Sequence, residues 1–268
     1  MLRNILFFYF FILVLLMAAC KSDEPGTVNT QDQADTLNID DGDNMDGDEN
    51  DGGEEDNGEE GGEEDPLPGN ISYLALGDSY TIGESVAANE RWPVQLVETL
   101  RQEGLDMQDA DIIATTGWTT GDLLNALKAK KPSKDYDLVS LLIGVNNQYR
   151  GYDFSIYEKE LPMLLDSAIA YANGDTSRVF VLSIPDYGVT PFGGNGEDEN
   201  ISQEIDRYND FKQATCSRYG ILYFNITDIS REALSRPDLI AGDGLHPSGL
   251  MYAEWVERIQ NSVKQRLE

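Results

Sequence analysis

Five short, continuously apolar runs recur through the last 199 residues of the chain: 71–76, 111–114, 138–143, 178–183 and 221–224. Each is bounded by turn-forming residues and is shorter than a buried helix needs to be, which is how strands covered on both faces read. The stretches between them place apolar residues at helical spacing, as in Val94, Leu96, Val97 and Leu100, or Leu123, Leu124 and Leu127. Leu161, Leu164, Leu165, Ala168 and Ile169 repeat the pattern, as do Trp255, Val256, Ile259 and Val263. Strand–helix alternation predicts an α/β domain with three layers: a five-stranded parallel sheet between two sets of helices. In such folds a functional site forms at the carboxyl ends of the strands.

The preceding residues belong to a different physical class. Residues 1–19 combine one basic residue, Arg3, with an apolar run from position 5 to 19 that ends in Ala18-Ala19 before Cys20. That run falls short of the roughly 20 residues of a bilayer span and ends in small side chains, as a cleaved signal does. Small residues before a cysteine resemble a bacterial lipobox, which implies lipidation of Cys20 and a lipid-anchored place in the cell envelope, on the periplasmic or surface face of the outer membrane. An uncleaved signal anchor is the competing reading. Residues 20–69 form a tract with 19 acidic side chains against Lys21. Such a composition cannot bury enough apolar surface to offset the entropy of ordering, so it is expected to be a disordered spacer. Its Asp-Gly pairs do not satisfy a calcium loop, because every register fails at the first ligand. Pro66-Leu67-Pro68-Gly69 marks the boundary, leaving 70–268 as the folded domain.

The charge of −30 is unevenly distributed: 30 acidic and 17 basic side chains leave −13 on residues 70–268. A surface of that sign is unsuited to nucleic acid, which is held by basic groups. One histidine and two cysteines cannot furnish a zinc-finger ligand set, and no metal or cofactor is expected.

Four segments carry the chemistry. Gly77-Asp78-Ser79-Tyr80 follows the first run, Thr116-Gly117-Trp118-Thr119-Thr120 the second and Gly144-Val145-Asn146-Asn147 the third, while Asp243-Gly244-Leu245-His246 precedes the last helix. A serine hydroxyl needs an adjacent base to become a nucleophile, and His246, the chain's one histidine, is the side chain suited to that exchange. In this order the segments resemble the SGNH (GDSL-type) hydrolase family, over nearly all of 70–268. The resemblance implies a flavodoxin-like hydrolase fold and a serine esterase with Ser79 as nucleophile, His246 as base and Asp243 as its partner. It also implies an oxyanion hole made by the Ser79 and Gly117 N–H groups and the Asn146 side chain, with Gly121 the competing glycine. Asp78 is read as structural. Two departures stand out: Asn147 occupies a position where the family usually has Asp, and Thr81 breaks a Gly-x-Ser-x-Gly nucleophile elbow.

SGNH enzymes act on many esters, and the fold does not choose among them. Loops 148–152 and 185–192 follow strand ends, making Tyr149, Tyr152, Asp186 and Tyr187, with Trp118, the candidate substrate-binding residues. Small acyl esters or acetylated polysaccharides are the expected substrates, with the membrane, through Cys20, as the other partner. Lipid acyl esters or thioesters, and a non-catalytic binding protein on the same scaffold, are the alternatives.

Overall fold

The computed structural model describes residues 70–132 and 135–268. The expected signal segment, Cys20 and the acidic tract lie outside the described residues. Five parallel strands form one sheet in the order β2-β1-β3-β4-β5: β1 Tyr73–Gly77, β2 Asp111–Ala114, β3 Leu138–Leu142, β4 Val179–Leu182 and β5 Leu222–Phe224. All five coincide with the apolar runs. The three inner strands are buried along their whole length, whereas edge strands β2 and β5 begin partly exposed. The first run differs slightly at its start: Ile71 makes only an isolated bridge to Met107, and the ladder begins at Tyr73.

Parallel strands require right-handed crossovers, and the strand order dictates their faces. The step from β1 to β2 runs one way along the sheet and carries α2 (Trp92–Gln102), against which the last helix, α8 (Gly249–Leu267), packs. The remaining steps run the other way and carry α3 (Thr120–Lys130), α5 (Phe154–Tyr171) and α6 (Glu199–Tyr219). Two one-turn helices complete the strand ends: α1 (Ser79–Ile82) after β1 and α4 (Val145–Tyr149) after β3. A third, α7 (Thr227–Arg231), follows β5.

The order reverses between β1 and β3, so the crevice between their carboxyl ends is where an open α/β sheet binds its ligand. Local sequence builds that crevice tightly. A side chain at Gly77 would put its Cβ 2.1 Å from Thr81 Oγ1 and 2.5 Å from the Leu142 carbonyl, so only glycine lets the chain turn from β1 into α1 against β3. Thr119 and Asp122 form a reciprocal cap at the start of α3 (Thr119 N–H to Asp122 Oδ2, 3.0 Å; Asp122 N–H to Thr119 Oγ1, 3.2 Å), ending the loop that carries Gly117. Ser248 caps α8 as its position before that helix predicts, accepting from Met251 N–H at 3.3 Å. Among the described residues no helix is long and apolar enough to cross a membrane.

Candidate active site

Ser79 opens α1, the first turn beyond β1, with Asp78 as N-cap: Asp78 Oδ1 accepts the Tyr80 N–H at 3.1 Å. The Ser79 N–H, in the first turn of a helix, has no intrahelical acceptor and no other partner among the described residues. Gly117, beyond β2, has φ +84°, a conformation glycine adopts without strain. Its N–H is likewise unpartnered, while its carbonyl accepts from Arg150 Nη2 at 2.5 Å. Asn146, in α4 beyond β3, donates one amide proton to the Trp118 carbonyl (3.0 Å), leaving its second N–H free to donate.

His246 arrives from the other end of the chain. Loop 240–247 is pinched by a bridge between Ile240 and Pro247, with the Ala241 N–H donating to the His246 carbonyl at 2.8 Å. Within it, Asp243 folds back on His246. Asp243 Oδ2 lies 2.6 Å from His246 Nδ1, and Asp243 Oδ1 accepts the backbone N–H of Leu245 (2.9 Å) and of His246 (3.0 Å). Ser85 Oγ adds a bond to Asp243 Oδ2 at 2.7 Å. Partial burial pushes the Asp243 carboxyl upward, but these donors outweigh it and hold the group well below the usual carboxylate range.

Ser79, Gly117, Asn146 and His246 line one cavity of about 210 Å³, together with Tyr80, Thr116, Val145, Tyr149, Tyr187, Phe192 and Leu245. The serine and the histidine, 167 positions apart in sequence, thus face the same space. The cavity wall is largely apolar. Tyr149, Tyr187 and Phe192 form an aromatic group with ring centroids 5.9–6.5 Å apart, and Tyr149 and Phe192 remain 57% and 53% exposed. Loop 185–192 is tied to the histidine loop by the Phe192 N–H donating to the Gly244 carbonyl (3.0 Å).

Two of the five candidate substrate-binding residues, Tyr149 and Tyr187, line the cavity. The other three are placed elsewhere, for visible reasons. Asp186 is fully buried, caps the turn at Gly188 N–H (2.9 Å) and pairs with Arg231 Nε at 2.9 Å. Trp118 packs half-buried on the core and contributes its carbonyl to Asn146. Tyr152 sits exposed outside the lining, its N–H bonded to the Asn147 carbonyl. Gly121, the competing glycine, lies inside α3 beside Glu160 and does not line the cavity.

Next to Ser79 in the chain, Asp78 interacts with a second buried titratable residue that sequence patterns do not connect to it. Asp78 and Lys212 of α6 are both fully buried. Burial raises the Asp78 carboxyl to about 7, against the opposing pull of the Tyr80 N–H and of Lys212. Burial lowers the Lys212 ammonium to about 7, and its Nζ donates to the Leu182 carbonyl at 3.1 Å. Among the described residues no cluster of His, Cys, Asp or Glu is placed to hold a metal ion.

The model of the GDSL-like lipase/acylhydrolase family matches residues 75–254, a span that contains every segment assembled around this cavity. The chain belongs to that family. An arylesterase of Vibrio mimicus is 25% identical over 178 residues, covering 65% of this chain and 78% of that protein. A multidomain esterase of Ruminococcus flavefaciens is 26% identical over 234 residues; the match covers 73% of this chain but only 29% of that longer protein. In three dimensions the chain is similar to Axe2, an acetylxylan esterase of Geobacillus stearothermophilus (TM-score 0.54, 20% identity, covering 73% of this chain and 95% of that one). The five-stranded parallel sheet with its flanking helices is the SGNH hydrolase fold, and the protein is an enzyme acting on ester bonds.

Proposed function

We propose that this enzyme hydrolyses compact, uncharged carboxylic esters by a serine mechanism. The supporting observation is the convergence of Ser79, His246 and three prospective oxyanion donors on one small cavity, with Asp243 bonded to the far ring nitrogen of His246. Ser79 Oγ attacks the acyl carbon while His246 Nε2 takes its proton, and Asp243 fixes the tautomer through Nδ1. The negative charge that develops on the carbonyl oxygen is met by the N–H groups of Ser79 and Gly117 and the second amide proton of Asn146. His246 returns the proton to the departing alcohol. It then activates a water to cleave the acyl–Ser79 ester, releasing the acid and restoring the hydroxyl.

The cavity, at about 210 Å³, is below the roughly 300–1,000 Å³ of sites for drug-sized ligands, and its lining holds no basic side chain apart from His246. Both facts favour a small acyl or aryl group over a long lipid chain or an anionic carrier. Two similar proteins, an arylesterase and an acetylxylan esterase, act on esters of this kind. The aromatic group offers a surface to an aryl ring or the apolar face of an acetylated sugar. The reading extends to a Cys20-anchored protein that presents its domain beyond the membrane on the acidic spacer, which mass spectrometry of the mature N-terminus checks by the lipid adduct it finds or fails to find.

The decisive comparison is p-nitrophenyl acetate hydrolysis by the full chain and by Ser79→Ala. Loss of kcat by about 10³-fold or more is expected, and equal rates in the two proteins overturn the mechanism.

A further inference from the structure

The side chain of Asn147, the neighbour of Asn146, makes two hydrogen bonds to Thr120. The side chains of Asn147 and Thr120 are both buried. The backbone N–H of Thr120 donates to Asn147 Oδ1 at 2.9 Å. A backbone N–H can only donate, so this bond fixes the orientation of the Asn147 amide and turns Nδ2 toward Thr120 Oγ1, 2.7 Å away. The Thr120 hydroxyl is therefore an acceptor on that side. Its single proton must go to a different acceptor, and Glu160 Oε2 of α5 receives it at 2.5 Å. The chain Asn147–Thr120–Glu160 has one consistent direction.

Its location gives it a consequence. Thr120 begins α3, three residues after Gly117, and Asn147 follows Asn146 in α4. The paired bonds between 120 and 147 thus join the two segments that carry oxyanion donors. Asn146 to the Trp118 carbonyl and Arg150 to the Gly117 carbonyl are the neighbouring ties across the same seam.

We propose that Glu160 is a positioning residue for the oxyanion hole, acting through Thr120 and Asn147, and that Asn147 and Glu160 form an interdependent pair. An aspartate at 147 would accept both the Thr120 N–H and the Thr120 hydroxyl and would leave Glu160 without a proton to accept. With asparagine at 147 the seam needs a carboxylate on α5 to close the chain. The inference rests on the esterase reading of the cavity.

The test is a double-mutant cycle on the full chain, with p-nitrophenyl acetate as probe. Glu160→Met keeps the stem volume but removes the strong acceptor, stranding the Thr120 proton. Asn147→Asp alone sets two carboxylates around one hydroxyl proton. Each single variant is expected to lose roughly tenfold in kcat with KM little changed, a fraction of what deleting an oxyanion donor costs. In the double variant the carboxylate introduced at position 147 takes the hydroxyl proton, and kcat is expected to return to within about threefold of the parent, a non-additivity that residues in one network show. A single variant that does not fold must likewise be restored by the second change, to a folded and active protein. Losses that multiply in the double variant, singles that match the parent, or recovery of the melting temperature without recovery of kcat overturn the assignment. Ser79→Ala measured alongside separates the two failures: activity retained there defeats the esterase reading itself, whereas an inactive Ser79→Ala with multiplying losses defeats only the role of Glu160.

Discussion

Ser85 combines two properties that rarely coincide in a serine. Its φ is +67°, in the left-handed region that costs a side-chain-bearing residue roughly 1–2 kcal/mol, and its hydroxyl reaches across 158 positions to Asp243 Oδ2. The oxygen it touches is the one that holds His246 Nδ1, so in the proposed triad Ser85 restrains the carboxylate that orients the base. The two properties can be separated. Ser85→Gly suits the backbone better and removes the hydroxyl, so the melting temperature should hold or rise while kcat falls by about three- to tenfold, the worth of an ordinary hydrogen bond at an exposed position. A variant that keeps both its melting temperature and its kcat would reduce Ser85 to a turn residue. No local signal in the sequence announces this serine, nor Glu160, because their partners are supplied by chain segments 40 or more positions away. The residues that were legible, Ser79, Gly117, Asn146, Asp243 and His246, sit in short segments whose spacing is itself local. The loops were harder to read: of the aromatic and acidic residues beside the strand ends, Tyr149 and Tyr187 face the cavity, whereas the carboxylate of Asp186 is committed to Arg231 and to its own turn.

At the scale of elements, the buried strands were readable because burial on both faces demands uninterrupted apolar side chains. Helix α6 shows where that reading weakens. Its buried positions are Ile205, Tyr208, Asn209, Lys212, Thr215 and Cys216, so polar residues occupy half of the stripe that faces the core. Those polar groups are individually satisfied: Asn209 exchanges bonds with the backbone of Ile184 (2.7 Å and 2.9 Å), and Lys212 donates to Leu182. An apolar-periodicity search sees only fragments of such a helix. The element carries a pH signature. Between about 7 and its ordinary value of 10.5, Lys212 is neutral in the folded protein and charged in the unfolded chain. The unfolded state therefore binds the extra proton, and the contribution of this residue to stability rises with pH across that window. Lys212→Met removes the term. Urea unfolding at pH 7.5 and 9 should show the parent gaining on the variant by up to about 1.4 kcal/mol per pH unit, the slope of one proton. A difference that stays constant with pH would mean that Lys212 keeps its charge in the fold, stabilised by Asp78.

At the scale of the whole molecule, charge and cavity act together. The domain carries −13, and the cavity lining contains neither lysine nor arginine. The guanidinium of Arg150, beside the lining residue Gly117, is engaged by the Gly117 carbonyl and lies 3.9 Å from Asp122. An ester with a negative charge thus approaches a surface of its own sign and finds no cation in the lining to receive it, while a neutral ester of the same length meets no such field. p-Nitrophenyl butyrate and the p-nitrophenyl monoester of succinic acid make the comparison, since they match in chain length and differ in the terminal carboxylate. At an ionic strength of about 10 mM, where screening extends over roughly 30 Å, kcat/KM for the neutral ester should exceed that for the anionic one by about tenfold or more. Raising the salt to about 0.5 M should close much of that gap, because long-range repulsion is screened while contacts inside the cavity are not. A gap insensitive to salt would locate the discrimination wholly in the lining, at the aromatic group of Tyr149, Tyr187 and Phe192. In that case the acidity of the domain plays no part in choosing the substrate and serves only to keep the surface soluble.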